Sequence, residues 1–537
     1  MKTSNRATGW VAALSCALAG LLVISLAACT TARSATTAQA EPAEAAETEA
    51  PGDGAPDPAL EAYQQSLQEI AELVQKEENA RKAHVLLQER MARPEFRRIP
   101  TYQQYVWLHL AGLLAMQLND ADVAHSVAVQ STLMPSATEE DWLVRFYSAA
   151  VKDYRQDAVD SLTQIAQRWP EALAKYDDRY LASFIAKVVR SPAPQTAQPL
   201  LEALFDAKWK MEGGLEPSYF WGQLARMLLE QKKPERAKEV VARITAPREL
   251  LAMRVDKRFD ALVQADPKRF DVVAAVDREL QTLQQLSDAS PRVLLLKAER
   301  VMAFVEAGRY SRAIAAADEV LAANATAEVA AGHFDDGNEQ FNWILDYRAQ
   351  ALQGLGKWTE AEQYMKTAAA RPEQGRPNVS NTINLAFLYA SLGRSQDAVT
   401  TLGDLAKPVD NASEYGKMQV QLVLLRAAVA KKDAAAAGTA LEALRGMQST
   451  SPETFQQALL DANQLDEAAT LLISRLKDPL LRSAALVEVQ EYKMPAPSPA
   501  NQLTYARWGT LRARKDVREA VAAVGRIEKF PLPPGLR

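Results

Sequence analysis

In Trp221–Val241, WGQLARMLLEQKKPERAKEVV, large apolar residues fall at Trp221, Leu224 and Leu228, with small Ala225 beside them. Positions i, i+3, i+4 and i+7 share one face of an α-helix, so this half predicts an amphipathic helix. Lys232-Lys233-Pro234 interrupts the run, and Ala237 and Val241 begin a second apolar face. The same alternation recurs in Val301–Ala317, Ala349–Met365 and Leu385–Leu402, where a glycine stands between the two halves. Glycine at such a turn suits the left-handed backbone that ends many helices. Neither helix of such a pair can hide its apolar stripe alone, so neighbouring pairs must stack. No sustained alternation of β-branched residues bounded by turns competes with this pattern.

The hairpins can be put in one frame. Around Ala237 the positions sixteen, thirteen, twelve and nine before and four after are Trp221, Leu224, Ala225, Leu228 and Val241. Around Ala83 they are Leu67, Ile70, Ala71, Val74 and Leu87, and around Ala197 they are Leu181, Phe184, Ile185, Val188 and Leu201. Around Ala158 only Trp142, Leu162 and Pro170 fit. This frame resembles the tetratricopeptide repeat. Taking Ala83, Ala124, Ala158, Ala197, Ala237, Ala275, Ala313, Ala361, Ala398, Ala436, Ala468 and Ala520 as markers, the spacing runs from 32 to 52. The family's own period is 34 residues. The resemblance implies an all-α fold, a right-handed α-solenoid of stacked helix-turn-helix units, here of uneven period. The two longest spacings contain Thr326–Trp343, expected as a loop, and the proline-rich Glu491–Gln502.

The N-terminus reads differently. Lys2 and Arg6 precede an uncharged run, Gly9–Ala28, which ends in Leu26-Ala27-Ala28-Cys29. A basic segment, an apolar core and small residues form a secretory signal; the competing reading is an uncleaved transmembrane anchor. The last four residues resemble the lipobox of bacterial lipoproteins. That resemblance implies cleavage before Cys29, lipid on its sulfur, and several acyl chains, hence a lasting anchor. In Gram-negative lipoproteins an Asp after the cysteine tends to retain the protein at the inner membrane, so with Thr30 there the resemblance implies the outer membrane, facing the periplasm. Cys16 lies in the removed part, so the mature chain keeps one thiol and has none for a disulfide or a cysteine site. Residues 29–58, rich in Ala, Glu, Thr and Pro, cannot bury enough apolar surface to fold and are expected to form a disordered tether. The expected organisation is therefore signal 1–28, tether 29–58, repeat array 59–490, and a proline-rich break with C-terminal capping helices over 491–537.

Composition adds exclusions. The formal net charge is −5, and removal of Lys2 and Arg6 takes it to −7. Mild acidity argues against nucleic acid, whose phosphates need a basic stripe. His84, His109, His125 and His333 lack the spacing of a zinc-protease helix and read as packing or surface residues. Gly354-Leu355-Gly356-Lys357 sits at a repeat turn with no preceding strand, so it is no phosphate loop. The acidic run Asp335-Asp336-Gly337-Asn338-Glu339 does not alternate as a calcium loop does and is expected to cap the next helix. Thr138 with Asp141 reads as a capping box, and Pro452 suits a first helical turn. No catalytic residue, metal site or cofactor is expected.

The resemblance implies that inward-facing residues of each first helix line a groove that cradles a peptide or helix. By repeat position these are Tyr219, Arg226, Trp343, Gln350 and Phe387. Aromatic residues and arginine are the usual anchors of interfaces. The expected function is a membrane-anchored scaffold for proteins or peptides. A second reading is a component of an envelope export or assembly machine, such as polysaccharide secretion, touching glycan as well as protein. A third is a peptidoglycan-acting enzyme, for which no stretch is left to build a compact catalytic domain.

Overall fold

A computed structural model describes residues 58–74, 77–323, 332–373, 376–406 and 412–534. The expected signal, Cys29 and all but the last residue of the tether lie outside the described residues. Among the described residues no helix is long and apolar enough to cross a membrane.

The chain forms two compact units, divided after Trp209. The first is built of antiparallel hairpins: Pro58–Val74 (α1) with Ala80–Met91 (α2), Thr101–Gln117 (α3) with Ala121–Ser131 (α4), and Glu139–Val151 (α5) with Arg155–Arg168 (α6); Asp178–Val189 (α7) then packs on the 3-10 turn Pro194–Ala197, which leads into Gln198–Asp206 (α8). Helices α4 and α5 pack together, as do α6 and α8, so each hairpin buries its stripe on the next. The chain thus meets the demand its apolar spacing sets.

The second unit repeats this plan. Ser218–Glu230 (α9) pairs with Pro234–Arg243 (α10). Pro247–Val255 (α11) is followed by short Asp260–Ala265 (α12) and packs on Val272–Ala289 (α13). Then come Leu294–Glu306 (α14) with Tyr310–Ala323 (α15), Gly337–Gly354 (α16) with Trp358–Ala370 (α17), and Val379–Ser391 (α18) with Ser395–Leu402 (α19). Glu414–Lys431 (α20) pairs with Ala434–Gly446 (α21), and Pro452–Asp461 (α22) with Leu465–Lys477 (α23). Arg482–Glu488 (α24) and the hairpin Pro499–Ala513 (α25) with Lys515–Val524 (α26) complete the helices. The fold is all-α, an array of stacked tetratricopeptide-like hairpins. The named strands among the described residues, Glu491–Tyr492 (β1) and Lys529–Phe530 (β2), form one short parallel pair.

The core follows the sequence frame. Ala83, Ala124, Ala158, Ala197, Ala237, Ala275, Ala313, Ala361, Ala398 and Ala468 are all fully buried. Around Ala237, Trp221, Leu224, Ala225 and Leu228 are fully buried as well. Two markers depart: Ala436 is exposed and Ala520 half-buried.

One turn geometry explains the departure at Ala436. Asn119, Asp153, Lys232, Gly308, Gly356, Gly393, Lys432 and Asn463 all have φ between 56° and 75°. The next residue's N–H donates back to a carbonyl five residues earlier: Asp120 to Ala115 at 2.8 Å, Lys357 to Leu352 at 2.9 Å, Asp433 to Ala428 at 3.0 Å. This is the Schellman ending, which satisfies carbonyls left free at a helix C-terminus. In seven of these hairpins the buried alanine stands five residues after the left-handed one, as Ala361 does after Gly356. Counting five from Lys432 gives Ala437, which packs on the core, not Ala436.

Candidate protein-binding faces

In the second unit a polar and aromatic face runs along successive first helices. Trp343 and Tyr347, one turn apart on α16, stack with centroids 5.8 Å apart. Asp346, fully buried between them in sequence, accepts from Gln350 Nε2 at 2.6 Å and from Asn384 Nδ2 of α18 at 3.2 Å. One oxygen thus braces its own helix, and the other ties that helix to the next first helix. Three residues beyond Asn384, Phe387 lies under the Arg426 guanidinium of α20, 5.3 Å from its ring centre. Arg426 Nε in turn donates to Asp461 Oδ2 of α22 at 2.6 Å. Trp343, Gln350 and Phe387 are each half-buried, so each shows an edge beyond the contacts that hold it.

The other two expected groove residues sit on α9. Tyr219 is half-buried and meets Phe220 edge-on at 5.5 Å. Arg226 is 5% exposed, and its Nη2 donates to Glu249 Oε2 of α11 at 2.8 Å. The pair lies against Gly222, where a Cβ would stand 2.2 Å from Glu249 Oε2. The residue one turn before Arg226 must lack a side chain for this ion pair to form. Arg226 thus joins two repeats inside the unit.

Sequence spacing did not single out Asp346, Asn384, Arg426 and Asp461. Each is a polar residue on a helix otherwise read for its apolar stripe. Their partners lie 35 or 38 residues away, about one repeat, which was the available signal.

In the first unit three histidines bridge consecutive hairpins. His84 Nε2 lies 3.1 Å from Asp120 Oδ2, His109 Nδ1 lies 3.0 Å from Asp141 Oδ1, and His125 Nε2 lies 2.6 Å from Asp157 Oδ2. Each histidine meets the carboxylate of the following hairpin. Asp141 also accepts from Tyr105 Oη at 2.9 Å and from the Thr138 N–H, the capping box read in the sequence. Burial alone would raise the Asp157 carboxyl, but hydrogen bonds from Arg145 and His125 outweigh it and hold it below the ordinary carboxylate range. Half-buried Tyr147, Tyr180 and Phe184 form an aromatic cluster with buried Phe146; the Tyr147 and Tyr180 rings are 5.1 Å apart.

The acidic run caps a helix, though not the expected one. Asp336 accepts from the backbone N–H groups of Leu294 and Leu295 at 2.7 and 2.8 Å, at the start of α14. Asp335 pairs with Arg292 at 2.6 Å. Free N–H groups at a helix start favour a carboxylate, and the hairpin stack brings the start of α14, the first helix of the preceding hairpin, to the Asp336 side chain. Gly354-Leu355-Gly356-Lys357 closes a helix and opens the next through the Schellman turn.

No protein-family model matches this sequence, and no curated protein does. Among solved structures, the Cut9–Hcn1 hetero-tetramer of the APC/C is 11% identical, covering 87% of this chain and 96% of its own, with a TM-score of 0.29. Rap protein complexed with Competence and Sporulation Factor is 14% identical over 86% and 99%, with a TM-score of 0.26. Yeast Tom70 is 12% identical over 79% and 98%, with a TM-score of 0.23.

Proposed function

We propose that this chain is a non-catalytic scaffold that binds proteins or peptides, held by lipid on Cys29 at the outer membrane and facing the periplasm. The observation that carries the binding half is the face formed by Trp343, Gln350, Phe387 and Arg426. It crosses three consecutive first helices; Gln350 is held by Asp346 on its own helix, which Asn384 of the next first helix braces in turn, and Arg426 is held by Asp461 of the following hairpin. Half-buried aromatic and arginine side chains on a rigid support are what a protein interface uses as anchors, since little freedom remains to be lost on binding. The anchoring half rests on the apolar run and Leu26-Ala27-Ala28-Cys29.

Two measurements test the two halves separately. Photocrosslinkers at Trp343 and Phe387, in the chain expressed in its native envelope, should capture discrete protein bands that a crosslinker at exposed Lys238 of α10 does not. Equal capture at all three positions would remove the binding half. Labelled palmitate should enter the wild-type chain but not Cys29→Ala; label in both would remove the anchor.

A further inference from the structure

The penultimate helix α25 is an unusual member of the array. Of its 15 residues only Thr504 and Leu511 are buried, whereas α22, with 10, buries seven. Leu511 is its one fully buried apolar side chain, and polar contacts supply the rest of its grip on α22. Thr504 Oγ1 donates to Asp461 Oδ1 at 2.5 Å, and Arg507 Nη1 donates to the Leu460 and Asp461 carbonyls at 2.7 and 2.8 Å. Thr504 and Arg507 are three residues apart, so they share one helix face. Half-buried Trp508 packs on the core cluster beside them.

What they meet is the face described above. Asp461 is 5% exposed and already accepts from Arg426 at 2.6 Å and from Gln457 at 2.9 Å. Arg426 covers Phe387, and α25 packs on both α18 and α22. The chain's own helix therefore reaches, through Asp461 and Arg426, the groove residue singled out by repeat position. An arginine on the last carbonyls of α22 satisfies groups that the helix end leaves open and suits its dipole.

From this we infer that the face around Asp461 is a helix-recognition site whose resident ligand is the chain's own penultimate helix, α25. The partner it fits is a helix with a hydroxyl residue, an arginine three residues later and an aromatic residue next to that. The inference rests on reading the face of Trp343, Gln350, Phe387 and Arg426 as protein-binding, and it adds the chemistry of the partner. Besides Thr504 and Arg507, Arg512, on the Gln490 carbonyl at 3.3 Å, and the apolar side chains of Leu511 and Trp508 hold α25, so the hydrophobic term that locks it is smaller than for a helix such as α22, and another helix that presents the same groups can exchange with it.

The test uses the full chain and a labelled peptide with the sequence Pro499–Ala513 as probe. In the chain carrying Thr504→Val and Arg507→Glu, the resident helix loses its anchors. Fluorescence anisotropy should show the peptide binding it at least about tenfold more tightly than the wild type, where the resident helix competes. Adding Asp461→Asn should abolish that binding while far-UV circular dichroism is unchanged. Equal binding to both chains, or binding that survives Asp461→Asn, overturns the inference. Should the double variant misfold, hydrogen exchange on the wild type decides: Pro499–Ala513 should exchange by local opening, well before Pro452–Lys477. Equal protection of the two segments would make α25 a permanent cap and overturn the inference. Specific crosslinking at Trp343 in that event leaves the broader scaffold reading standing, so the two failures are distinguishable.

Discussion

At the residue scale, the unit's internal charges can be weighed one by one. Arg226 illustrates where sequence position and surroundings diverge. Repeat position marks it as groove-lining, yet Gly222 opens just enough room for Glu249 to reach it from the next hairpin. The contact is 23 residues away in sequence, and apolar periodicity says nothing about it. Removing one partner of a buried pair leaves an uncompensated charge. Arg226→Met should therefore cost about 3–5 kcal/mol in urea unfolding, and adding Glu249→Leu should recover most of it. Glu279 on α13 tests the opposite sign. Burial first, then the nearby carboxylates of Glu306 and Glu299, raise its pKa from 4.5 to about 8. The folded chain thus prefers this group protonated. Its contribution is fully present below pH 4.5 and is lost as pH rises through 8. Glu279→Gln should accordingly melt a few degrees above the wild type at pH 9, and the two curves should coincide at pH 4.

At the element scale, much of the architecture was legible because each helix carries its own stripe. The alanines at the hairpin crossings, from Ala83 to Ala398, are fully buried, as close approach of two helices requires. The turns were legible only in part. Glycine at Gly308, Gly356 and Gly393 announces left-handed backbone, but Lys232 and Lys432 adopt the same conformation at φ 58° with nothing in their side chains to show it. At Ala434–Ala437 four consecutive alanines give no phase, so the frame there slips by one until the Lys432 turn fixes it. The polar ties between hairpins were not legible, since a residue such as Asp346 or Asp461 gains its meaning from a register set by stacking. A left-handed residue with a Cβ costs about 1–2 kcal/mol over glycine. Lys432→Gly should thus raise stability by about 1 kcal/mol, and Gly356→Ala should lower it by a similar amount, by chemical denaturation. A change of opposite sign at Lys432 would mean that its side chain holds the turn by some contact stronger than the strain.

At the scale of the molecule, the second unit departs from a simple linear stack. In an open array each hairpin touches only its neighbours, and stability is close to a sum of local terms. Here residues 525–530 return to the end of α11, one hairpin in from the unit's first helix. The Arg526 N–H donates to the Val255 carbonyl at 3.0 Å, Arg254 pairs with Glu528 at 2.8 Å, and α24 packs on α11. The parallel pair β1–β2 and Gln490 brace this return, with Gln490 Nε2 on the Arg526 carbonyl at 3.0 Å and its Oε1 on the Glu528 N–H at 2.7 Å. Repeat periodicity concerns residues one hairpin apart, so contacts between positions 272 apart leave no trace in it. Gly525 is the point of closest approach: a Cβ there would stand 2.4 Å from the Val255 carbonyl oxygen and 2.6 Å from Leu486. Its backbone is extended, so the need is for space rather than for left-handed freedom. Gly525→Val should open the closure without touching any hairpin. Long-range contacts couple distant hairpins into one cooperative transition, and the denaturant slope follows the surface exposed in that transition. The variant should therefore unfold with a shallower slope and a broader transition than the wild type, while circular dichroism before unfolding stays the same. An unchanged slope would mean that the return segment lies on the unit without coupling its ends, and that nearest-neighbour stacking alone holds the second unit together.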